Sequence, residues 1–185
     1  LYDRYLLGAS FRVDGSSRFG KDNRYGAFPA ASVGWIISEE EFLRNSSAIN
    51  FLKLRASYGK TGNAEIGNFS SRSLFEAAAY ADISGLITSQ LGIPALSWEK
   101  TNQFDIGLDF GFANNRISGE IDYFDKETND LLFDVPTPAV NGFSTITKNI
   151  GSMRNRGWEF VLNGTILDGP FRWTASANIS TYVNK

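Results

Sequence analysis

Residues 98–129 read WEKTNQFDIGLDFGFANNRISGEIDYFDKETN, and most of this stretch alternates between apolar and polar side chains. Every even position in 104–112 is apolar, and every odd position is Asp or Gly. The alternation resumes in 117–123, after an Asn-rich turn at 113–115. Successive side chains of a β-strand point to opposite faces, so each arm predicts a strand with one apolar and one polar face. Because Asn-rich turns join antiparallel strands, the two arms are predicted to form one hairpin.

The arms of this hairpin are long. A strand of about 12 residues rises roughly 40 Å, and a tilt of roughly 45° brings its height close to the hydrocarbon thickness of a bilayer. Strands of soluble proteins are usually about five or six residues long. The hairpin therefore favours strands that cross a membrane.

Composition narrows the class of protein. The chain has 185 residues, a net charge of −2, no Cys and no His, but four Trp, seven Tyr, fifteen Phe and eighteen Gly. Abundant aromatic residues and Gly suit strands and turns, and the net charge predicts no general attraction to nucleic acid. Without Cys and His, the commonest metal ligands and general bases are missing, so no cofactor, metal site or catalytic residue is predicted. No apolar run reaches the roughly 18 residues of a membrane-spanning helix, a test that β-barrel strands escape.

Five further stretches alternate as the hairpin does, which predicts seven strands in all: 5–14, 28–37, 51–60, 157–167 and 171–183. Between the second and third strands, Ser38 and Glu41 fit a capping box and Ile37 and Phe42 fit a hydrophobic staple. These signals predict a short helical turn ending near Leu43.

The connections between these strands alternate in length. Long segments at 15–25, 61–97 and 130–155 alternate with compact links at 39–50, 113–115 and 168–170. Outer-membrane barrels have short periplasmic turns, long external loops and strands that alternate between lipid-facing and lumen-facing residues. We therefore predict an all-β fold, a fragment of an antiparallel up-and-down transmembrane β-barrel with about seven strands.

This fold assigns the two faces of the strands to different surroundings. The predicted lumen-facing residues are Arg12, Asp14, Lys53, Arg55, Gln103, Asp105, Asp109, Glu120, Asp122 and Glu159. Two lipid-facing aromatic belts are predicted, with Tyr58, Trp98, Tyr123 and Trp158 near the long loops and Tyr5, Trp35, Phe110, Phe112, Phe171 and Trp173 at the other end. Aromatic rings gather at both interfaces of a membrane.

Several motifs resemble one family of transporters. They include Arg12-Val13-Asp14-Gly15-Ser16-Ser17-Arg18-Phe19-Gly20, Ser32-Val33-Gly34-Trp35, Leu52-Lys53-Leu54-Arg55-Ala56-Ser57-Tyr58-Gly59-Lys60-Thr61-Gly62-Asn63, Trp98-Glu99-Lys100-Thr101, Asp122-Tyr123-Phe124 and Gly157-Trp158-Glu159. These blocks cover nearly the whole chain and resemble the TonB-linked outer-membrane transporters of the SusC/RagA type.

The resemblance implies a barrel of about 22 strands, filled by an N-terminal plug and covered by a SusD-like lipoprotein. It also implies an outer-membrane location in a Gram-negative bacterium, and import of glycans or peptides with energy delivered through TonB. The expected partners are outer-membrane lipids, the SusD-like lipoprotein, TonB and an oligosaccharide or peptide, with no nucleic acid. Residues 1–185 are expected to form part of the barrel domain of such a receptor, without the plug domain and the signal peptide.

Two other functions fit parts of the sequence. In a soluble β-sandwich that binds carbohydrate, the same alternation would bury the apolar face against a second sheet. An enzyme is the weakest alternative. The carboxylates Asp105, Asp109, Glu120 and Asp122 could supply the pair that glycoside hydrolysis needs, but polar residues lining a wet lumen explain them better. No nucleophile-base or metal-ligand constellation supports an enzyme, and the lengths of the loops favour the barrel over the sandwich.

Overall fold

The structure, a computed structural model, describes residues 2–80, 83–138, 140 and 142–185, apart from the side chain of Tyr80. These residues form eleven strands: β1 (Tyr5–Gly15), β2 (Tyr25–Ile36), β3 (Ile49–Asn63), β4 (Leu74–Tyr80), β5 (Ile83–Gln90), β6 (Glu99–Phe112), β7 (Ile117–Asn129), β8 (Leu132–Pro136), β9 (Thr145–Asn149), β10 (Ser152–Asp168) and β11 (Arg172–Asn184). A 3-10 turn, Ile37–Glu39, follows β2.

Seven of these strands form one antiparallel sheet in the order β1-β2-β3-β6-β7-β10-β11. The other four form two separate hairpins, β4–β5 and β8–β9, which interrupt the connections from β3 to β6 and from β7 to β10. Each strand of the main sheet therefore pairs with the next main strand along the chain. The seven predicted strands and their up-and-down order are confirmed.

The register of the sheet separates an apolar face from a polar face. One apolar row crosses five strands through Leu54, Leu108, Ile121, Phe160 and Ile179. The apolar face is open: Phe11 is 71% exposed and Ile179 is 64% exposed. A β-sandwich would cover this face with a second sheet, whereas the other sheets in the described part of the chain are two short hairpins. The described residues therefore do not form the β-sandwich of the alternative.

The two long segments contain more regular structure than their sequences indicate. Segment 61–97 is a connection without predicted strands, yet β3 continues to Asn63 and the β4–β5 hairpin follows. Segment 130–155 contains the β8–β9 hairpin and the start of β10. The sequence 74–80 reads LFEAAAY and lacks an apolar–polar alternation, so its strand pairing leaves no clear signal in the sequence.

Two local predictions near strand ends are wrong. The N-cap of the 3-10 turn is Ile36, which has no side-chain cap, so Ser38 does not form the predicted capping box. A further turn follows, in which the Arg44 N–H donates to the Glu40 carbonyl. In β10 the register shifts between Thr165 and Leu167, so Leu167 is the partner of Trp173. The alternation in 157–167 predicts Ile166 on the same face as Phe160 and Leu162, but the β-bulge shifts the alternation by one residue and places Leu167 in that row instead.

The packed core lies among the loops. Phe19, Phe28, Leu96 and Trp98 are buried together, and Trp98 lies 5.4 Å from each of the Phe19 and Phe28 rings. The Trp98 indole N–H donates to the Arg24 carbonyl at 3.2 Å. Trp98 is 7% exposed, so its place in the lipid-facing belt is corrected: residues of the loops and Phe28 of β2 enclose it, and it precedes β6.

No helix among the described residues is long and apolar enough to cross a membrane.

Candidate functional site: a charged sheet face and a cleft between loops

The polar face of the main sheet is organised around Arg55 of β3. Its Nε donates to Asp109 Oδ1 at 2.9 Å, and its Nη2 donates to Asp122 Oδ2 at 2.7 Å. Glu120 Oε2 lies 3.4 Å from the same Nη2, and Lys53 Nζ lies 3.7 Å from Asp109. Two cations and three carboxylates on three strands thus form one network. Hydrogen bonds between ionised groups are stronger than neutral ones, and the planar guanidinium can serve several carboxylates at once.

A glycine makes this network possible. Gly107 of β6 lies between Arg55 and Asp122 in the register of the sheet. A Cβ at this position would lie 2.1 Å from Asp122 Oδ1 and 2.8 Å from Arg55 Cζ. The missing side chain lets Arg55 cross over β6 and reach β7. Asp122 Oδ1 is buried and has no hydrogen-bond partner among the described residues.

The other predicted lumen-facing residues lie on the same face but outside the network. Asp105 accepts from Gln103 at 3.0 Å and from Ser57 at 3.2 Å. Arg12 and Asp14 form an exposed pair of their own near the end of β1, 2.7 Å apart. Glu159 is exposed and lies directly opposite Asp122 in the register. The structure therefore joins five of the ten predicted residues, Lys53, Arg55, Asp109, Glu120 and Asp122.

Aromatic side chains occupy both ends of the opposite face. Near the long loops Tyr123 and Trp158 lie 5.1 Å apart, and Tyr58 is 51% exposed. At the other end Phe110 stacks on Phe112 at 5.3 Å. The remaining predicted members at this end are also exposed: Tyr5, Trp35, Phe171 and Trp173.

One carboxylate ties together the aromatic residues at the short-link end. Glu40 Oε1 accepts from the Tyr5 hydroxyl at 2.6 Å and from the Trp35 indole N–H at 3.0 Å. Glu40 Oε2 accepts from Arg4 Nη1 at 2.7 Å. These hydrogen bonds, first that from Tyr5 and next that from Trp35, hold the pKa of Glu40 below its usual value, and burial opposes them. The arrangement fixes polar edges of both rings while leaving their apolar surfaces exposed.

On the apolar face the chemistry changes sharply beyond the belt at the long-loop end. Along β7 the next position after Tyr123 on this face is Asp125, and along β10 Trp158 is preceded there by Arg156. Arg154 Nε donates to Asp125 Oδ1 at 2.8 Å. From Phe112 to Phe104 the apolar part of β6 spans about 27 Å along the strand, and the usual strand tilt of roughly 35–45° gives it a height of about 19–22 Å, most of the apolar band of about 25 Å in transmembrane barrels.

The loops at this end are fixed to one another. The Asn149 amide donates to the carbonyls of Ser97 and Asp130, each at 2.9 Å, and the Leu132 N–H donates to Glu99 at 3.2 Å. The Arg18 guanidinium donates to the Ala64 carbonyl at 3.2 Å. All three long segments are therefore joined through side-chain hydrogen bonds.

A cleft of about 900 Å³ opens between the loops. One wall comes from residues 65–70 and the end of β5, and the other from the β8–β9 hairpin. Its lining includes Glu65, Ser70, Gln90, Asp134, Phe143, Thr145 and Thr147. Thr147 Oγ1 donates to Asp134 at 2.6 Å, and Gln90 donates to the Phe69 and Arg72 carbonyls at 2.8 and 3.0 Å. The cleft thus presents hydroxyls and two carboxylates, with no Lys or Arg among its described lining residues.

Comparison with known proteins connects these features to one family. The family model described as "TonB dependent receptor-like, beta-barrel" matches residues 1–185. The chain belongs to the TonB dependent receptor-like, beta-barrel family. The predicted fold, a fragment of a receptor β-barrel, is thereby confirmed.

Individual relatives of the receptor family agree. TonB-dependent receptor P39 of Formosa agariphila is 45% identical over 184 residues, which cover 98% of this chain and 18% of the relative. TonB-dependent receptor SusC of Bacteroides thetaiotaomicron is 42% identical over 192 residues, covering 97% of this chain and 19% of SusC. The solved structure of the RagAB peptide transporter matches with a TM-score of 0.90 and 40% identity, covering 98% of this chain and 20% of that chain. The predicted resemblance to SusC/RagA-type receptors is confirmed, and this chain spans about a fifth of its relatives' length.

Sequence reasoning missed three parts of this receptor fragment. Glu39, Glu40 and Glu41 stand in one run, so the sequence does not single out Glu40 as the partner of both rings. Gly107 repeats in a Gly-Asp alternation, and only the register places it between Arg55 and Asp122. The cleft depends on two hairpins that leave little signal in the sequence, although the Thr residues 145 and 147 on one side of β9 fit a strand.

Proposed function

We propose that this chain forms part of the wall of an outer-membrane importer in a Gram-negative bacterium. The importer would take up glycans or peptides together with a SusD-like lipoprotein, using energy delivered through TonB. The proposal rests on one observation: a single meandering sheet exposes an apolar face between two aromatic rows and carries a charged network on its other face. In a barrel wall the apolar face lies against lipid and the polar face lines the wet interior.

The relatives support this function. One is named for TonB and SusC, and the similar solved structure is described as a RagAB peptide transporter. The family consists of TonB-dependent transporters, which argues against the enzymatic alternative. The carboxylates near Arg55 serve, in this proposal, as fixed counter-charges that hydrate the interior and contact the plug or a passing substrate. They carry out no covalent chemistry.

The cleft between the loops is proposed as the entrance on the cell surface. Long loops carry the binding residues of many proteins, and ligand pockets commonly have volumes of roughly 300–1,000 Å³. Glu65 and Asp134 are exposed in the lining, where they would repel an anionic ligand. Hydroxyl and carboxylate groups instead suit the hydroxyl and amide groups of a neutral glycan or peptide.

The function is tested by deleting the full-length gene in its source bacterium. Growth is then measured with maltooligosaccharides, a xylan digest or a tryptic casein digest as the sole carbon source. We expect the deletion to abolish growth on one of these sources, and the wild-type gene to restore it. Unchanged growth of the deletion strain on every source, with wild-type uptake rates, would contradict an import function for these substrate classes.

A matched pair of variants tests the entrance. Thr147 lines the cleft, and Lys148 is the next residue of β9, on the opposite face of the hairpin. Thr147→Trp fills part of the cleft and should slow uptake severalfold, while Lys148→Trp should leave uptake unchanged. Equal uptake by both variants, at equal surface amounts, would show that substrate does not pass through the cleft.

A further inference from the structure

A second groove lies on the apolar face of the sheet, at the level of the aromatic belt near the long loops. Its volume is about 320 Å³. Two neighbouring rows of the register line it, Trp158 with Thr181 and Arg156 with Val183, and the Tyr123 ring adjoins Trp158. Gly157 and Tyr182 complete the lining, and the groove combines the rings of Tyr123 and Trp158 with one guanidinium.

The charge of this groove comes from Arg156. Its neighbour Arg154 donates two hydrogen bonds to Asp125, whose side chain is only 18% exposed. Glu127 is the register partner of Arg154. Arg156 itself is exposed and forms no ion pair with a described residue. Asp125 is the register partner of Arg156, but its carboxylate accepts its hydrogen bonds from Arg154, and Arg156 lines the groove.

Apolar side chains continue from the groove towards the middle of the strands. Phe160 is 39% exposed, Leu162 is 51% exposed and Ile179 is 64% exposed. Along β10 the face thus runs from a cation through an indole ring to aliphatic and phenyl surface. A molecule that matches this order has an anionic head, a junction at the aromatic belt and hydrocarbon chains.

We propose that this groove binds a membrane lipid whose headgroup carries a phosphate. The phosphate accepts hydrogen bonds from the Arg156 guanidinium, the headgroup lies against Trp158 and Tyr123, and the acyl chains cover Phe160 and Ile179. Planar guanidinium groups suit phosphate oxygens, and basic pockets at the membrane surface bind anionic headgroups. The inference depends on the proposed function in one respect, because the apolar face must contact the membrane.

The groove is tested by native mass spectrometry of the full-length receptor in a non-ionic detergent. The probes are bisphosphorylated lipid A and digalactosyl diglyceride, a glycolipid without phosphate. We expect saturable binding of lipid A, and an affinity about tenfold lower in Arg156→Gln, since a charge-assisted hydrogen bond is lost. Arg156→Lys, which keeps the charge, should recover most of the affinity. Digalactosyl diglyceride should bind equally weakly to all three proteins.

Lys126→Gln is the matched control. Lys126 follows Asp125, the register partner of Arg156, so it lies at the height of Arg156 but on the polar face. It should bind lipid A as the wild type does. Unchanged binding in Arg156→Gln, or an equal loss in Lys126→Gln, would overturn the site. If inorganic phosphate displaced all of the lipid A at an equal concentration, the acyl chains would not contribute to binding, and the lipid site would also be overturned. Lipid binding is measured without uptake. If the receptor imports its substrate but does not bind lipid A, the lipid site is rejected and the import function stands.

Discussion

The guanidinium of Arg55, on β3, passes over Gly107 of β6 and donates a hydrogen bond of 2.7 Å to Asp122, on β7. One side chain thereby joins the two neighbours of β6 as well as Asp109 on β6 itself. In the register Asp122 also faces Glu159 of β10, so Arg55 offsets one of two adjacent carboxylates. Opposite charges on neighbouring strands stabilise pairing, whereas like charges directly opposite weaken it. Arg55 therefore reduces the repulsion between the Asp122 and Glu159 carboxylates.

The first prediction concerns the space above Gly107, which the Arg55 side chain crosses. Gly107→Ala places a methyl group where Asp122 Oδ1 now lies, so Asp122 and Arg55 must separate. We expect a loss of about 1–3 kcal/mol in the free energy of unfolding of the full-length receptor in lipid vesicles, typical of overpacked sites. Gly164→Ala is the control, because a Cβ added at Gly164 would have nothing within 4 Å. Equal stability of the two variants would show that Arg55 does not need this space.

The assignment of the two faces makes the second prediction. Ile179 and Asn178 are neighbours on β11, both exposed, and they point to opposite faces. Ile179 lies in the same apolar row as Leu108, near mid-strand. In the full-length receptor Ile179→Arg should cost about 2–4 kcal/mol of unfolding free energy in lipid vesicles, because the charge enters hydrocarbon. Asn178→Arg should cost far less, and equal costs would reject the lipid-facing assignment.

Sequence alternation predicts this sheet well because each main strand has one face in each environment, as the rows through Leu108 and Asp109 illustrate. Prediction from alternation fails where a segment does not have one apolar and one polar surrounding. Trp98 fits the aromatic belt by position, but long-range contacts with Phe19 and Phe28 bury it in the loops. The β4–β5 hairpin exposes Phe75 and Leu86, so no buried face imposes an alternation on it. Similarly, a single inserted residue in β10 moves Leu167 into the row that the sequence assigns to Ile166.

Glu40 makes a prediction about pH. The hydrogen bonds from Tyr5, Trp35 and Arg4 lower its pKa in the folded protein, so folding favours the charged carboxylate. This contribution is fully present above the unfolded pKa of Glu, about 4.3, and is lost as pH falls through the lower folded pKa. The melting temperature of the full-length receptor should therefore fall on acidification below about pH 4, and the fall should be smaller in Glu40→Gln.

Glu39→Gln is the control for this titration, since Glu39 is exposed at the end of the 3-10 turn. This variant keeps the three hydrogen bonds to Glu40, so its melting temperature should still fall on acidification as that of the wild type does. If Glu40→Gln and the wild type lose the same stability on acidification, the contacts with Tyr5 and Trp35 do not contribute to folding.

The buried Trp98 makes a prediction about the loops. Trp98→Ala leaves a cavity beside Phe19 and Phe28 and removes the hydrogen bond to the Arg24 carbonyl, a change that costs about 3–5 kcal/mol at buried aromatic sites. Because this core holds loops, we expect faster proteolysis within 15–25 and 61–97 on intact cells. Trp158→Ala removes an indole that is 47% exposed on the sheet and should not change the cleavage rate. Identical cleavage of both variants would mean that Trp98 does not hold the loops.

The topology of the chain makes the last prediction. Short epitope tags are inserted after Asn68, after Val140 and between Asn114 and Asn115 of the full-length receptor, all at exposed positions. We expect antibody labelling on intact cells at the first two sites only, and labelling of the third after permeabilisation. The reverse pattern would keep the barrel but invert it, and labelling of all three would contradict a membrane-spanning wall. The expected pattern follows from the structure of the two ends, because the turn at 113–115 only reverses the chain, whereas the hydrogen-bonded loops enclose a cleft large enough for a ligand.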